Sequence, residues 1–372
     1  TSHYVAVEDI SGNHTTNLAV DVQLPWAWHD RRVLVPAVLR ITRYHRSMRL
    51  RWPLRLLLGD PFDHTAPING DVKRAFVAAG YAFVDVDCRG SGASSGFRTA
   101  PFSPFETFDS HLILDWLLKQ PWSNGEIGAT GISYEGTTAE MMAINAHPAI
   151  RAVAPQFASW DVYADIAFPG GARNYQFTKK WKKLNAALDA NEPWKVVGRD
   201  LLGEGVLGDV LAWLVKQVVL EGVSPVDSDS DGIHLEQALR QRHRNTDVHT
   251  AAAAITYRDD VVDELDSYHT GKLPVLPGFA KKHHISGSLA TMSPHAYAED
   301  VGRYAAHAAV LSYGGWYDGG YALAAIKRHF ALKQHRGDNA NLYLILGPWN
   351  HGGGWYGTTT TTTTTFTTSS PQ

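Results

Sequence analysis

Cysteine is almost missing from this sequence, and its scarcity limits the kinds of protein that the chain can be. Cys88 is the only cysteine among 372 residues, so an intrachain disulfide and a thiolate metal cluster are both excluded. This composition leans toward a reducing compartment such as the cytoplasm. Because the chain starts at Thr1 without a methionine, prior removal of a signal peptide and secretion are also compatible with it, and the compartment stays open.

A positive charge excess and a long apolar run are lacking as well. Lys and Arg number 34 against 37 Asp and Glu, a formal net charge of -3, which argues against nucleic-acid binding. The longest apolar stretch, 210–220, contains Lys216 and falls short of the roughly 18 to 20 residues that span a bilayer. The 44% hydrophobic and 19% charged residues are instead typical of a folded globular enzyme.

Short β-rich runs alternate with helical patterns over the first half of the chain. The predicted strands cover residues 18–24, 33–44, 81–88, 127–132 and 150–156, and the predicted helices cover residues 105–120 and 134–147. Strands and helices that alternate in this way form a mostly parallel sheet of the α/β class. The pattern resumes with strands at 308–313 and 342–346 and a helix at 321–334, so the same sheet is completed late in the chain.

The alternation stops between residues 159 and 304, where helix-favouring stretches are separated by loops. We interpret this segment as a largely helical cap inserted into an α/β core. The core then consists of residues 1–158 and 305–357. The remaining residues, 358–372, begin with a run of threonines and form a low-complexity tail that we expect to be disordered.

One hexapeptide has the sequence context of a catalytic nucleophile. Residues 131–136, GISYEG, follow a predicted strand and precede a predicted helix, which is where an α/β-hydrolase carries its nucleophile elbow. Glu135 departs from the general Gly-x-Ser-x-Gly pattern, because the second glycine comes one residue later. An ordinary strand-to-helix turn is the alternative, and the downstream residues favour catalysis by Ser133.

Two later loops supply an acid and a base in the order that this fold requires, serine, then carboxylate, then histidine. Asp318 ends the segment GGWYD after one late strand, and His351 lies in GPWNHG after the next. A serine hydroxyl needs a base that is held by a carboxylate, so we predict the triad Ser133, Asp318 and His351. Taken singly, Asp318 could instead cap the following helix, and His351 could lie in a mobile glycine loop.

Together, GISYEG, GWYD and GPWNH resemble the motifs of the cocaine esterase and Xaa-Pro dipeptidyl-peptidase family of serine hydrolases. Further similarities, such as DCRGSG at 87–92 and PWSNG at 121–125, extend the resemblance over about residues 5–354. The resemblance implies an α/β-hydrolase fold with an inserted helical cap and usually a C-terminal β-sandwich. Since the chain ends soon after His351, we expect that sandwich to be absent from it.

The resemblance also implies the groups that hold the developing oxyanion. Tyr44, in ITRY at the end of an early predicted strand, corresponds to the family tyrosine whose hydroxyl helps to bind the oxyanion. The backbone N–H of Tyr134 would be the second donor. A tyrosine that only packs on the sheet is the alternative for Tyr44.

These residues predict acyl transfer through an acyl-enzyme, a reaction that needs no metal or organic cofactor. The expected partner is a small-molecule ester, an amide or a short peptide, and the oligomeric state stays open. We prefer hydrolysis of a carboxylic ester or acyl amide over release of Xaa-Pro dipeptides. A catalytically silent binding module or an incomplete fragment is the remaining alternative.

Aromatic residues near the predicted triad are candidates for the acyl pocket, although packing in the core would explain them equally well. They are Trp160, Tyr163, Phe168, Trp316 and Tyr317. Some relatives recognise a substrate amino group with a carboxylate cluster, and candidates for it are Asp165, Asp259 and Asp260.

An acidic segment, DSDSDG at 227–232, copies the opening of an EF-hand loop. The twelfth position of that loop should supply a bidentate glutamate, but Ala238 occupies it. We therefore predict a solvated acidic loop rather than a calcium site.

Overall fold

The main sheet has eight strands within the residues that the structure describes. This computed structural model describes residues 1–8, 15–52, 54, 70–144, 147–196, 205–260, 292–298, 307–337 and 341–353. The predicted disordered tail and part of the predicted cap lie outside these ranges. The strands of this sheet and of a second, two-stranded sheet formed by β4 and β8 are β1 (Ser2–Glu8), β2 (Thr15–Gln23), β3 (Val35–Thr42), β4 (Met48–Leu50), β5 (Ala82–Asp87), β6 (Ser123–Ile132), β7 (Ile150–Gln156), β8 (Leu220–Val223), β9 (Ala309–Gly315) and β10 (Leu342–Gly347).

The strand order of the main sheet is β1-β2-β5-β3-β6-β7-β9-β10. The neighbours from β5 to β10 in this order run parallel. Strand β2 runs antiparallel to both of its neighbours, β1 and β5. The predicted mostly parallel sheet of an α/β-hydrolase fold is therefore confirmed, and β1 is an addition that the sequence pattern did not predict.

Helices follow most of the parallel strands. The α-helices of the described ranges are α1 (Trp26–Arg31), α2 (Gly70–Ala78), α3 (Pro104–Leu118), α4 (Tyr134–Ile144), α5 (Tyr175–Asp189), α6 (Val206–Val218), α7 (Ile233–Gln241), α8 (Val248–Ala254) and α9 (Gly320–Arg336). Helix α4 packs on β3, β6 and β7, whereas α9 packs on β9 and β10. Across the described ranges, no helix combines the length and the hydropathy that crossing a membrane requires.

Helix α3 shows how local sequence sets an element that supports the site. Its first residue is Pro104, and the preceding Ser103 accepts the N–H of Glu106 with its side chain, which is a standard start of a helix. Further along, Ile113 and Leu117 are fully buried. The helix is thus held by its apolar face against the core, with its capped end near the end of β6.

The segment between β7 and β9 is largely helical where the structure describes it. It contains a π-helical turn (Tyr163–Ala167), helices α5 to α8, and the short strand β8. Helix α5 packs on α8. Strand β8 pairs antiparallel with β4, for example Val223 with Met48, so a small second sheet joins this segment to the chain that follows β3. The boundaries of the predicted cap stay a prediction.

A buried ion pair connects the helices that follow the predicted nucleophile and the predicted acid. Arg328 of α9 places its Nε 2.7 Å from both carboxylate oxygens of Glu140 on α4. Its Nη2 donates to the carbonyl oxygens of Ala158 and Ser159. Burying such a pair is costly unless further hydrogen bonds help to hold the charges, and the bonds from Arg328 tie α4, α9 and the loop after β7 together.

The acidic loop at 227–232 is mostly exposed, as predicted for a solvated loop, but its central carboxylate, Asp229, is buried. Asp229 is only 1% exposed, because its carboxylate accepts the N–H groups of His234 and Leu235 at the start of α7. Tyr4 donates its hydroxyl to the same carboxylate. A carboxylate at a helix N-terminus is favourable for both its hydrogen bonds and its charge, and this capping role explains the burial.

The single cysteine follows β5 directly. Cys88 is buried, and its thiol donates to the carbonyl oxygen of Thr42 at 3.2 Å. Burial raises the pKa of the thiol to about 12. The residue therefore behaves as a small core side chain.

Candidate active site

Ser133 lies in the turn between β6 and α4, at the carboxyl end of the sheet. Its φ is +63°, a left-handed conformation that is unfavourable for a residue with a Cβ. The backbone holds the turn on both sides, since Ser133 donates its N–H to the carbonyl of Gln156 at 2.9 Å and accepts the N–H of Thr137 at 3.0 Å. This strained, braced turn is the geometry of a nucleophile elbow.

The two glycines of the hexapeptide explain how the turn closes. A Cβ on Gly136 would lie 2.7 Å from the carbonyl oxygen of Gln156 and 2.8 Å from that of Gly131. A Cβ on Gly131 would lie 2.3 Å from the Cβ of Glu135. The displaced second glycine thus allows a close approach of two backbone segments, while Glu135 is buried with its carboxylate 3.7 Å from the guanidinium of Arg40.

The loops after β9 and β10 are joined by backbone hydrogen bonds. Trp316 donates its N–H to the carbonyl of Gly347 at 2.9 Å, and Tyr317 donates to that of Trp349 at 3.0 Å. The contact is close, because a Cβ on Gly315 would lie only 2.2 Å from the Trp349 carbonyl oxygen. Parallel neighbouring strands therefore bring together two loops that are distant in sequence.

This junction brings the predicted acid and the predicted base together. His351 Nδ1 lies 2.8 Å from one carboxylate oxygen of Asp318 and 2.9 Å from the other. Burial of Asp318 raises the pKa of its carboxyl, and the hydrogen bond with His351 acts in the opposite direction. The rings of Phe157 and Tyr321 pack against the imidazole at 6.0 Å and 4.9 Å between centroids. The other ring nitrogen, Nε2, is the one that points away from the carboxylate.

Ser133 and His351 line the same cavity, which has a volume of about 1120 Å³. Tyr321, one helical turn after the predicted acid, also lines it. Burial raises the pKa of Tyr321, so the phenol stays protonated. The sequence interpretation did not include Tyr321, although its position three residues after Asp318 in the first turn of α9 was a usable signal.

The two predicted oxyanion donors also line the cavity. Trp181 donates its indole N–H to the hydroxyl oxygen of Tyr44 at 3.2 Å, which leaves the Tyr44 hydroxyl hydrogen for another acceptor. Tyr134 is the first residue of α4, where the backbone N–H has no acceptor within the helix. Its side chain is fixed by a 2.5 Å hydrogen bond from its hydroxyl to Glu106.

Three of the predicted pocket aromatics do not line this cavity. Trp160 belongs to the main hydrophobic core and lies under the guanidinium of Arg328. Tyr163 and Phe168 stack on each other, with 4.7 Å between ring centroids, in a small cluster with Ala167. None of the three is among the described residues that line the cavity.

The other two predicted aromatics are at the surface. Trp316 is 58% exposed and Tyr317 is 59% exposed. Tyr317 lines a smaller adjoining pocket of about 460 Å³, together with Asp318 and His351. Trp316 and Tyr317 therefore lie outside the main cavity rather than on its described wall.

The three predicted carboxylates are not brought together. Asp165 lines the smaller pocket, but one of its oxygens accepts the backbone N–H groups of Trp160 and Asp161 at 2.9 Å and 2.7 Å. Burial raises the pKa of Asp165. Asp259 and Asp260 line neither pocket over the described ranges. In the same ranges, no group of three or more His, Cys, Asp or Glu side chains is arranged to hold a metal ion.

The chain is similar to a known protein family and to several named proteins. The family model described as X-Pro dipeptidyl-peptidase (S15 family) matches residues 12–353. The chain is 44% identical over 355 residues to the Mycobacterium bovis protein named "Putative serine esterase Mb1866c". The match covers 95% of this chain and 52% of that protein. It is 28% identical over 280 residues to the cocaine esterase of a Rhodococcus species, covering 74% of this chain and 39% of that protein.

The chain also has a partial likeness to a solved structure. The aminopeptidase from the marine sediment archaeon Thaumarchaeota archaeon has a TM-score of 0.49 and 23% identity, over 94% of this chain and 49% of that one. The chain spans about half the length of the curated relative that it matches at 44% identity.

Proposed function

Because this chain belongs to the X-Pro dipeptidyl-peptidase (S15) family, we propose that it is a serine hydrolase with Ser133 as nucleophile, His351 as general base and Asp318 as orienting acid. The observation that carries the proposal is the hydrogen bond between His351 Nδ1 and the buried Asp318 carboxylate. A carboxylate at Nδ1 selects the tautomer whose Nε2 can accept a proton. Since His351 and Ser133 line one cavity, a bound substrate would meet both.

The reaction follows from these roles. His351 Nε2 removes the hydroxyl proton of Ser133 as Oγ attacks the substrate carbonyl carbon. The bond to the leaving group breaks, His351 returns the proton to that group, and an acyl-serine remains. Water, deprotonated by the same imidazole, then hydrolyses the acyl-serine and restores Ser133.

The negative charge that forms on the carbonyl oxygen needs donors in fixed positions. Tyr44 can provide its hydroxyl hydrogen, since its oxygen is already held by the indole of Trp181. Tyr134 can provide the backbone N–H of the first helical position. Both groups are held by the protein before substrate binds, which is what makes such donors effective.

The cavity supports an ester as the first choice of substrate. Among its described lining residues the only carboxylate is Glu135, and Arg40 lies 3.7 Å from it. A free substrate ammonium group, as in an Xaa-Pro peptide, would therefore find a carboxylate that is already paired. The relatives named as serine esterase and cocaine esterase support the same choice.

Release of Xaa-Pro dipeptides is the second candidate, and it is favoured by the smaller pocket beside Asp318. Asp165 lines that pocket and could face a substrate amino group. Its charge is already shared with two backbone N–H groups and with Lys327, whose Nζ lies 3.7 Å away. We therefore keep this activity below ester hydrolysis.

The test compares p-nitrophenyl butyrate with Ala-Pro-p-nitroanilide, using the protein, Ser133→Ala and the matched control Ser230→Ala, which alters an exposed serine. We expect ester turnover that Ser133→Ala abolishes and Ser230→Ala retains, together with fluorophosphonate labelling of Ser133. Preference for the anilide would move the activity to the dipeptidyl-peptidase candidate. A folded protein that neither turns over substrate nor becomes labelled would contradict the proposal and favour a silent module or an incomplete fragment.

A further inference from the structure

The cavity beside Ser133 is larger than a small ester requires. Its volume of about 1120 Å³ lies above the range of typical ligand pockets, which measure roughly 300 to 1,000 Å³. A bulky or extended ligand is therefore the expected occupant. The chemistry of the lining residues decides which kind of ligand it is.

Helix α5 contributes an apolar stripe to the cavity wall. Phe177, Trp181, Leu184 and Leu188 all line the cavity, and their spacing of four, three and four residues places them on one face of the helix. Trp181 marks the catalytic end, because it donates to the Tyr44 hydroxyl. From Trp181 to Leu188 the stripe extends for about 10 Å at the rise of an α-helix.

The small second sheet closes the far end of this stripe. Strands β4 and β8 pair there, and each contributes an apolar side chain to the lining. We call this part of the cavity the apolar arm, and its residues are Leu184, Leu188, Pro193, Val196, Leu220 and Met48. The arm thus begins beside the predicted oxyanion tyrosine and ends at a wall of aliphatic groups.

The charged side chains of the described cavity wall lie outside the apolar arm, are paired with an opposite charge, or are uncharged at neutral pH. Arg40 and Glu135 are paired below the elbow. His45 lines the cavity near β4 and is buried, and burial lowers its pKa to about 4, so the imidazole is neutral at pH 7. An uncharged apolar arm disfavours an ionised or strongly polar ligand, which would lose its hydration there.

We infer that the apolar arm binds the alkyl chain of a medium- or long-chain acyl ester, so that fatty acyl esters are the substrate class of the Ser133 site. This inference rests on the proposed serine hydrolase function. An acyl group attached to Ser133 would place its carbonyl oxygen near Tyr44 and its chain along Trp181, Leu184 and Leu188. A short acyl group would leave the arm empty, so its binding would gain no free energy from apolar contacts there.

The first test is an acyl series of p-nitrophenyl esters, acetate, butyrate, octanoate and dodecanoate, measured below their micelle concentrations. We expect kcat/KM to rise by about fourfold for each methylene that the arm removes from water, until the arm is filled. A maximum at acetate or butyrate in the protein would overturn the inference.

The second test narrows the arm. Leu184→Trp should lower the ratio of kcat/KM for dodecanoate to kcat/KM for butyrate by at least about tenfold, since a bulkier side chain takes up the space of several methylenes. The matched control is Ala186→Trp, which introduces the same side chain at an exposed position of the same helix, and it should keep the ratio of the unaltered protein. An unchanged ratio in a folded Leu184→Trp would overturn the inference.

A third measurement needs no variant. Alkyl trifluoromethyl ketones with a dodecyl or a butyl tail add to an active serine, and the dodecyl compound should bind at least about tenfold more tightly. Equal affinities would contradict the inference. The two failures are distinguishable. If the proposed function is wrong, Ser133→Ala will not reduce the hydrolysis of any ester. If only this inference is wrong, Ser133→Ala will still abolish hydrolysis, but the protein will prefer short acyl chains.

Discussion

His351 and Asp318 are 33 residues apart, yet Nδ1 of the histidine lies 2.8 Å and 2.9 Å from the two carboxylate oxygens. The pair forms because β9 and β10 are parallel neighbours and because Trp316 and Tyr317 bond the first loop to the second. The acid and the histidine are therefore aligned by the main chain, independently of any substrate.

Replacement of Asp318 by asparagine tests the role of this alignment. Asp318→Asn keeps the size of the side chain but loses the charge and favours the wrong imidazole tautomer, so we expect kcat to fall by about ten-thousandfold. The measurement is steady-state hydrolysis of a p-nitrophenyl ester. The exposed carboxylate variant Asp259→Asn is the control, and a loss below tenfold in Asp318→Asn would remove the carboxylate from the mechanism.

Removal of the Tyr44 hydroxyl tests the predicted oxyanion site. Tyr44→Phe should lower kcat by about a hundredfold to a thousandfold with a small change in KM, because the lost donor acts mainly in the transition state. Trp181→Phe removes the indole donor but leaves the Tyr44 O–H, so its effect on kcat should be less than tenfold. If Tyr44→Phe retained kcat within about threefold, Tyr44 would be a packing residue.

Gly136 is expected to be essential for stability. In Gly136→Ala the new Cβ would meet backbone oxygen atoms at 2.7 Å and 2.8 Å, which should lower the free energy of unfolding by about 2 kcal/mol or more. Gly128→Ala is the matched control on β6, since its nearest neighbour would be at 3.6 Å. Urea denaturation compares the two variants, and equal midpoints would refute the steric argument.

His45 should make the stability of the protein depend on pH. Burial lowers the pKa of His45 to about 4, whereas an unfolded histidine titrates near 6.5. As the pH falls from about 6.5 to 4, the unfolded chain binds a proton that the native state excludes, so the free energy of unfolding falls by up to about 3 kcal/mol. His45→Asn should lose this part of the dependence, and asparagine also tolerates the φ of +73° at this position.

Urea denaturation at pH 7.5 and at pH 4.5 measures the effect. The exposed His29→Asn is the control and should keep the slope of the unaltered protein. Parallel pH profiles for His45→Asn and the unaltered protein would show that His45 is not the group responsible.

The sheet and the loops that carry the predicted triad could be predicted from the sequence because both depend on local patterns. Buried parallel strands such as β7 are short apolar runs, and the structure places β7 at Ile150–Gln156, the predicted residues. Strands β4 and β8 have three and four residues, too few for a readable alternation. Their pairing joins segments 48–50 and 220–223, which no local signal relates.

The cavity wall was harder to predict, because it depends on how α5 folds back over the sheet. Trp160 and Phe168 were candidates from their position after β7, but Trp160 packs in the main core and Phe168 stacks on Tyr163. Trp181, Phe177 and Tyr321 line the cavity instead. Closeness in sequence to a motif predicts which segment lies near the site. Which side chains of that segment face the cavity depends on tertiary packing.

The buried state of Cys88 has a practical consequence for spectroscopy. A thiol with a pKa of about 12 presents almost no thiolate at neutral pH and is inert toward maleimide or iodoacetamide dyes. Since the chain has no second cysteine, a thiol introduced at an exposed site such as Ala186 would react alone, without replacement of any native cysteine. A fluorophore attached there would label α5 at one defined position.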